Sequence, residues 1–233
     1  MNNNRFWIVV LAPVLMLAAI GSADQSKRDA GARSESEQGL VRCANLVYGR
    51  NKSSVCFSDK FLNQIKADTN INANPRFETV KLDSSDLYEH PFSVMTGEGK
   101  FSLTSAQRHN MRRYLERGGF IVASAGCSSK LWNRCFASEI KTVFPKTPLQ
   151  VIEADHPIFH TVYDVTSSRY KSGGAKLPLL KGLEIDGKIV LVWSPEGLND
   201  TGNAGPNCCC CGSNEVKSAK RINVNLLAYA LTH

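Results

Sequence analysis

The sequence predicts an open α/β sheet, mostly parallel, with helices on both faces. Three observations predict it. Strand-like and helix-like segments alternate from about residue 40 onward. The run "GFIVASAG" (119–126) is apolar on alternate and intervening positions alike, as a central parallel strand covered on both sides must be. No segment recurs at the period of a solenoid or propeller.

In chain order, the first segment is "MNNNRFWIVVLAPVLMLAAIGSADQ". Arg5 precedes an apolar run from Phe6 to Ile20, and Gly21 and Ala23 supply the small residues of a cleavage site. Residues 1–23 are therefore expected to be a secretory signal peptide. The run falls short of the ~20 apolar residues of a spanning helix, and Pro13 interrupts it. Residues 24–38 carry no large apolar side chain and read as a flexible leader. The expected product is exported to the periplasm or cell envelope of a bacterium and does not span the membrane once the signal is removed. Residues 39–233 then suffice for one α/β domain with a good core.

Within that domain, "GLVRCANLVYG" (39–49) has the β-branched and aromatic content of a strand closed by glycine. "SDKFLNQIKAD" (58–68) offers Ser58 as an N-cap and puts Phe61, Leu62 and Ile65 on one helical face. "RFETVKL" (76–82) alternates like a half-buried strand, and "HPFSVMTG" (90–97) reads as another. The next helix is capped by Thr104 or Ser102, buries Met111, Tyr114 and Leu115, and stops at Gly118-Gly119. After the "GFIVASAG" strand, "SSKLWNRCFASEIKTVF" (128–144) is amphipathic, with Leu131, Trp132, Cys135, Phe136, Ile140 and Val143 inward and Pro145 ending it. "PLQVIE" (148–153) and "KIVLVW" (188–193) are two further strands. "INVNLLAYALTH" (222–233) closes the chain as a helix on Leu226, Leu227, Ala230 and Leu231.

The 28 Lys+Arg against 21 Asp+Glu give a net charge of +7. The basic residues are scattered, without a stripe interleaved with aromatics, so nucleic acid is not an expected partner. Other envelope proteins remain candidates.

Several of these segments carry a resemblance. "YLERGGFIV" (114–122), "VFP" (143–145), "DHPIFHTVYD" (155–164), "GLEIDGKIVLVWSPEGLND" (182–200) and "RINVNLLAYALTH" (221–233) resemble the bacterial domain of unknown function 4159. The resemblance covers nearly the whole chain from about residue 40. It implies a fold similar to that of class I glutamine amidotransferases, a flavodoxin-like α/β sandwich, and an exported protein; it implies no activity. Two departures stand out. Where the family commonly has acidic residues after its "GGF" strand, this chain has "ASAGCSS", and where a tryptophan-rich stretch is usual it has "CCCCGSNE". The chain therefore reads as a cysteine-rich branch.

Eight cysteines in an exported chain ordinarily mean disulfides. Ligands of open α/β sheets bind beyond the carboxyl ends of the strands. "KSSVC" (52–56), "AGCSS" (125–129) and the stretch from "SPEGLND" (194–200) to the tetrad at 208–211 all follow such ends, so Cys56, Cys127, Cys208, Cys209, Cys210 and Cys211 are expected to converge there. Thiolates in that arrangement select zinc or another thiophilic metal, or else they cross-link. Cys135 and Cys43 read as small buried hydrophobes or as disulfide partners. The expected function is a binding or structural role built on this cluster. The alternative is a cysteine-dependent hydrolase or transferase, because Cys127 lies on a strand–turn–helix junction like a nucleophile elbow. Its base would be His156 beside Asp155, with His160 a second candidate, although no His-x-Glu motif occurs. Asn199 and Asp200 sit in "GLNDTGN" (197–203), whose composition predicts a surface loop.

Overall fold

A computed structural model describes residues 39–50, 56–170, 172–200 and 216–233. The expected signal peptide, the expected leader and Cys208 to Cys211 lie outside the described residues. Residues 40–233 form one compact unit.

The early chain alternates as expected: β1 (Cys43–Val47), α1 (Lys60–Asp68), β2 (Glu78–Lys81), β3 (Phe92–Gly97), α2 (Ser105–Glu116), β4 (Phe120–Ala125) and α3 (Lys130–Val143). The later chain adds β5 (Gln150–Val151), a hairpin of β6 (Ser168–Arg169) and β7 (Ala175–Lys176), then β8 (Lys181–Ile185), β9 (Lys188–Ser194) and α4 (Lys220–Thr232). Among the described residues, one sheet takes seven strands in the order β2-β1-β3-β4-β9-β8-β5. The first five in that order pair in parallel. The last two, β8 and β5, are antiparallel additions. This is an open, mostly parallel α/β sheet.

Strand alternation divides the core into two layers. On one face Phe92, Val94, Phe120 and Val122 pack against Phe61, Leu62 and Ile65 of α1 and Leu226 and Leu227 of α4. On the other, Leu46, Met95, Ile121 and Leu191 meet Met111, Tyr114 and Leu115 of α2 and Trp132, Phe136 and Ile140 of α3. Because both faces are covered, β3 and β4 are buried at every position, which is why their sequence is a continuous apolar run rather than an alternation. The chain moves outward from β1 to β2 and then in the other direction through β3 and β4, so the sheet reverses its winding between β1 and β3.

The helix boundaries follow from caps. Thr104 accepts from the Gln107 amide while Gln107 reaches back to the Thr104 amide, a complete capping box. Gly118, with φ +90°, lets the helix stop as the Gly119 amide donates to the Tyr114 carbonyl. Ser129 caps α3 by accepting from the Trp132 amide. The α1 cap differs from expectation. The helix starts at Lys60 behind Asp59, with no side-chain cap, and Ser58 Oγ accepts from the Lys60 amide one residue early.

Two other expectations are corrected, and one strand is an addition. Leu131 is 40% exposed; the buried stripe of α3 runs through Trp132, Phe136, Glu139, Ile140 and Val143, and Leu131 falls just outside it in the first turn. "PLQVIE" yields only the two-residue β5, an exposed edge whose single partner is β8. β8 itself went unforeseen because Gly182 breaks the apolar pattern of "KGLEI". A side chain at Gly182 would lie 2.6 Å from Ile189 Cδ1, so the glycine is what lets β8 pack there.

Candidate functional site

The carboxyl edge of the parallel strands is built from β1, β3, β4 and β9. Tyr48, just past β1, donates from its hydroxyl to the Thr96 carbonyl at 2.7 Å and accepts from Trp132 Nε1 at 2.6 Å. A Cβ on Gly97 would stand 2.3 Å from that hydroxyl. Only glycine at the end of β3 leaves the Tyr48–Trp132 pair its space.

After β4 the backbone turns sharply. Cys127 sits at φ +50°, ψ +31°, and Ser128 also has φ +50°. Two successive non-glycine residues in the left-handed region cost about 1–2 kcal/mol each, so the surroundings hold this turn in place. Ser128 Oγ donates to the Glu196 carbonyl at 2.9 Å, and Asn133 Nδ2 donates to the Pro195 carbonyl at 2.8 Å. Ser129 Oγ accepts from the Gly99 amide. The Glu98 side chain lies against Gly126, whose Cβ would be 3.1 Å from Glu98 Cγ. Cys127 is half-buried at the start of this strand–turn–helix junction, as an elbow requires.

The loop after β9 is pinned beside the same turn. Ser124 Oγ donates to Asn199 Oδ1 at 2.6 Å and accepts from the Leu198 amide at 2.7 Å. Ser58, two residues past the half-buried Cys56, donates its amide to the Asn199 carbonyl at 3.0 Å. Asn223 of α4 donates to the Leu198 carbonyl. Asp200, at φ +53°, accepts from the Ala219 amide through Oδ1. Val216 donates its amide to the Gly197 carbonyl at 3.2 Å. Asn199 and Asp200 are each only 1% exposed, which corrects the surface-loop expectation. Hydrogen bonding to β4 and α4 outweighs the turn-forming composition.

Cys56 and Cys127 thus follow the carboxyl ends of β1 and β4, and their neighbours Ser58 and Ser128 each bond to the chain after β9. The structure does not bring His156 to that edge. That imidazole ring lies 5.5 Å from the Tyr229 ring, and the Tyr229 hydroxyl accepts from the amide of Ile189, at the start of β9. Cys127 lies past the far end of the sheet, about 20 Å along a strand of this length. Burial lowers the His156 pKa despite Asp155 beside it, and its Nδ1 accepts from the Ile158 amide as a cap. The His160 ring is held by Asp164 and the Ala154 carbonyl, contacts that raise its pKa.

Cys43 is fully buried at the base of β1, and burial pushes its thiol up to about 12. Cys135 is half-buried against the α3 side of the core. Among the described residues, no three His, Cys, Asp or Glu side chains gather as a metal site. Also among them, no helix is long and apolar enough to cross a membrane.

Ser124 was not singled out from the sequence, and Ser58 only as a helix cap. A serine inside the otherwise apolar "FIVASA" strand was the available signal, since a buried hydroxyl needs partners. The family model described as "Domain of unknown function (DUF4159)" matches residues 42–231. No curated protein matches the chain.

Proposed function

The chain belongs to the DUF4159 family, and from that premise and the edge geometry we propose that it is an exported binding protein whose working part is a thiol cluster. Cys56 and Cys127 are the fixed members, and Cys208 to Cys211 supply the others. The cluster is closed either by zinc or another thiophilic metal or by disulfides. One observation carries this reading: the chain leaves at Asp200 and returns at Val216 on the same edge, with Ser124, Ser58 and Ala219 holding the flanks. Half of a 15-residue excursion reaches at most about 25 Å, so the tetrad stays within range of both fixed thiols. A metal needs ligands from 208–211, because the described residues alone offer no complete set.

Metal and thiol stoichiometry of the anaerobically purified mature protein tests the proposal. The expected result is either near-stoichiometric metal or a deficit of titratable thiols after denaturation, lost in a variant with Cys208 to Cys211 changed to serine. Eight free thiols with no metal would end the reading. Export is checked by sequencing the amino terminus of the mature chain, expected at Asp24.

The left-handed Cys127 turn favours a second reading, a cysteine-dependent hydrolase or transferase. With His156 remote, the Glu98 carboxylate, whose side chain packs against Gly126, is an acid–base candidate at this turn. Selective alkylation of Cys127 at neutral pH, slowed in Glu98→Gln, is the result this reading requires.

A further inference from the structure

We propose that a second site, independent of the cysteines, binds a small oxyanion of the phosphate type in the cavity between residues 164–169 and the start of α4. The cavity measures about 610 Å³, within the range of roughly 300–1,000 Å³ typical of small-ligand sites. Its wall carries Arg169, Lys217, Lys220 and Arg221, with the hydroxyls of Thr166 and Ser167 beside them.

The charges on this wall are unevenly satisfied. Its two acids are already engaged: Asp164 with the His160 ring at 2.5 Å, and Asp200 with the Ala219 amide at 3.1 Å. The nearby Asp68 is held by Tyr163 and by Gln64. The cations are less closely paired: Lys220 and Arg221 feel the Asp68 charge at a distance but form no ion pair among the described residues. Lys220 Nζ donates to the neutral Gln64 amide, and the Arg221 guanidinium lies over the Tyr163 ring at 5.2 Å. Arg169 and Lys217 are exposed and form no ion pair among the described residues.

The backbone holds these two cations together. The amides of Lys217 and Ser218 donate to the Arg169 carbonyl at 2.7 and 3.4 Å, and Ser218 Oγ accepts from the Arg169 amide at 2.9 Å. Placing like charges side by side is unfavourable until an anion lies between them. A guanidinium, an ammonium and free hydroxyls are the donors that recognise phosphate oxygens. At the amino end of α4 the Ala219 amide is already taken by the Asp200 carboxylate, so the attraction rests on the cations of the wall and not on the helix end.

Titration of the full mature chain with inorganic phosphate, followed calorimetrically at low ionic strength, tests the proposal. Saturable one-to-one binding is expected, weakened about tenfold or more in the double variant Arg169→Ala/Lys217→Ala. The control Arg113→Ala/Lys141→Ala, which removes two exposed cations from α2 and α3, should bind like the wild type. The variant lacking Cys208 to Cys211 should also bind like the wild type, which separates this site from the thiol cluster. Thermal unfolding supplies a second readout: phosphate should raise the midpoint of the wild type and not that of the Arg169/Lys217 variant. Absence of saturable binding overturns the proposal, as does equal weakening in the control pair, which would reduce the effect to net charge.

Discussion

Ser124→Ala tests whether the loop after β9 is truly fastened to the sheet. The hydroxyl is fully buried and makes two bonds, donating to Asn199 and accepting from Leu198. Alanine leaves the Leu198 amide and Asn199 Oδ1 buried without partners, at about 1–3 kcal/mol apiece. The expected loss is therefore about 3 kcal/mol, which for a domain of this size lowers the midpoint by about 6–12 °C. Ser194→Ala is the matched control. Ser194 is equally buried, pairs in register with Ser124 on the neighbouring strand, and accepts one bond, from the Gly197 amide at 3.1 Å. Losing that single bond should cost about 1–1.5 kcal/mol. Urea unfolding followed by circular dichroism and tryptophan fluorescence measures both, provided the two probes coincide. If Ser124→Ala costs no more than Ser194→Ala, the account of the fastening is wrong.

Other outcomes follow from the same geometry. The hydrogen bonds from Arg42 to Glu78, with His90 assisting against burial, hold the Glu78 carboxylate at about 2 instead of 4.5. Its contribution to stability is therefore present above pH 4.5 and lost as pH falls toward 2; Glu78→Gln should flatten the acid limb of a stability–pH curve in that window. Glu139 is buried and accepts from the Leu103 amide at 3.1 Å and from Arg108 at 2.6 and 3.0 Å. Glu139→Ala should cost about 2–4 kcal/mol in chemical denaturation, and a loss below about 1 would contradict these bonds. Native-state alkylation read by mass spectrometry should leave Cys43 unmodified until the protein unfolds, because the thiol is buried and its pKa is pushed to about 12.

The sequence made legible whatever is governed by local periodicity and capping. Met111, Tyr114 and Leu115 are buried as their spacing requires, Thr104 does cap α2, and the Gly118-Gly119 pair does end it. The continuous apolar run at β4 correctly announced a strand covered on both faces. What stayed hidden depends on partners distant in the chain. Glu139 looks like a solvent-facing helix residue until Arg108 and Leu103 are seen against it. Asn225 looks like a blemish in an apolar helix, yet its side chain accepts from the Val162 and Tyr163 amides and donates to the Tyr163 carbonyl. At the site, the placement of Cys56 after β1 and of Cys127 after β4 could be read from topology, because parallel strands end on one edge. The separation of His156 from Cys127 could not, since it depends on α4 carrying Tyr229 to the opposite end of the sheet.

The amide of Val216 closing onto Gly197 has a consequence for how this chain tolerates changes in length. Because Gly197 is bonded to Val216 and Asp200 to Ala219, the two ends of the stretch between Asp200 and Val216 stay fixed whatever its length. Each doubling of its length costs only about 0.6 kcal/mol in closure entropy.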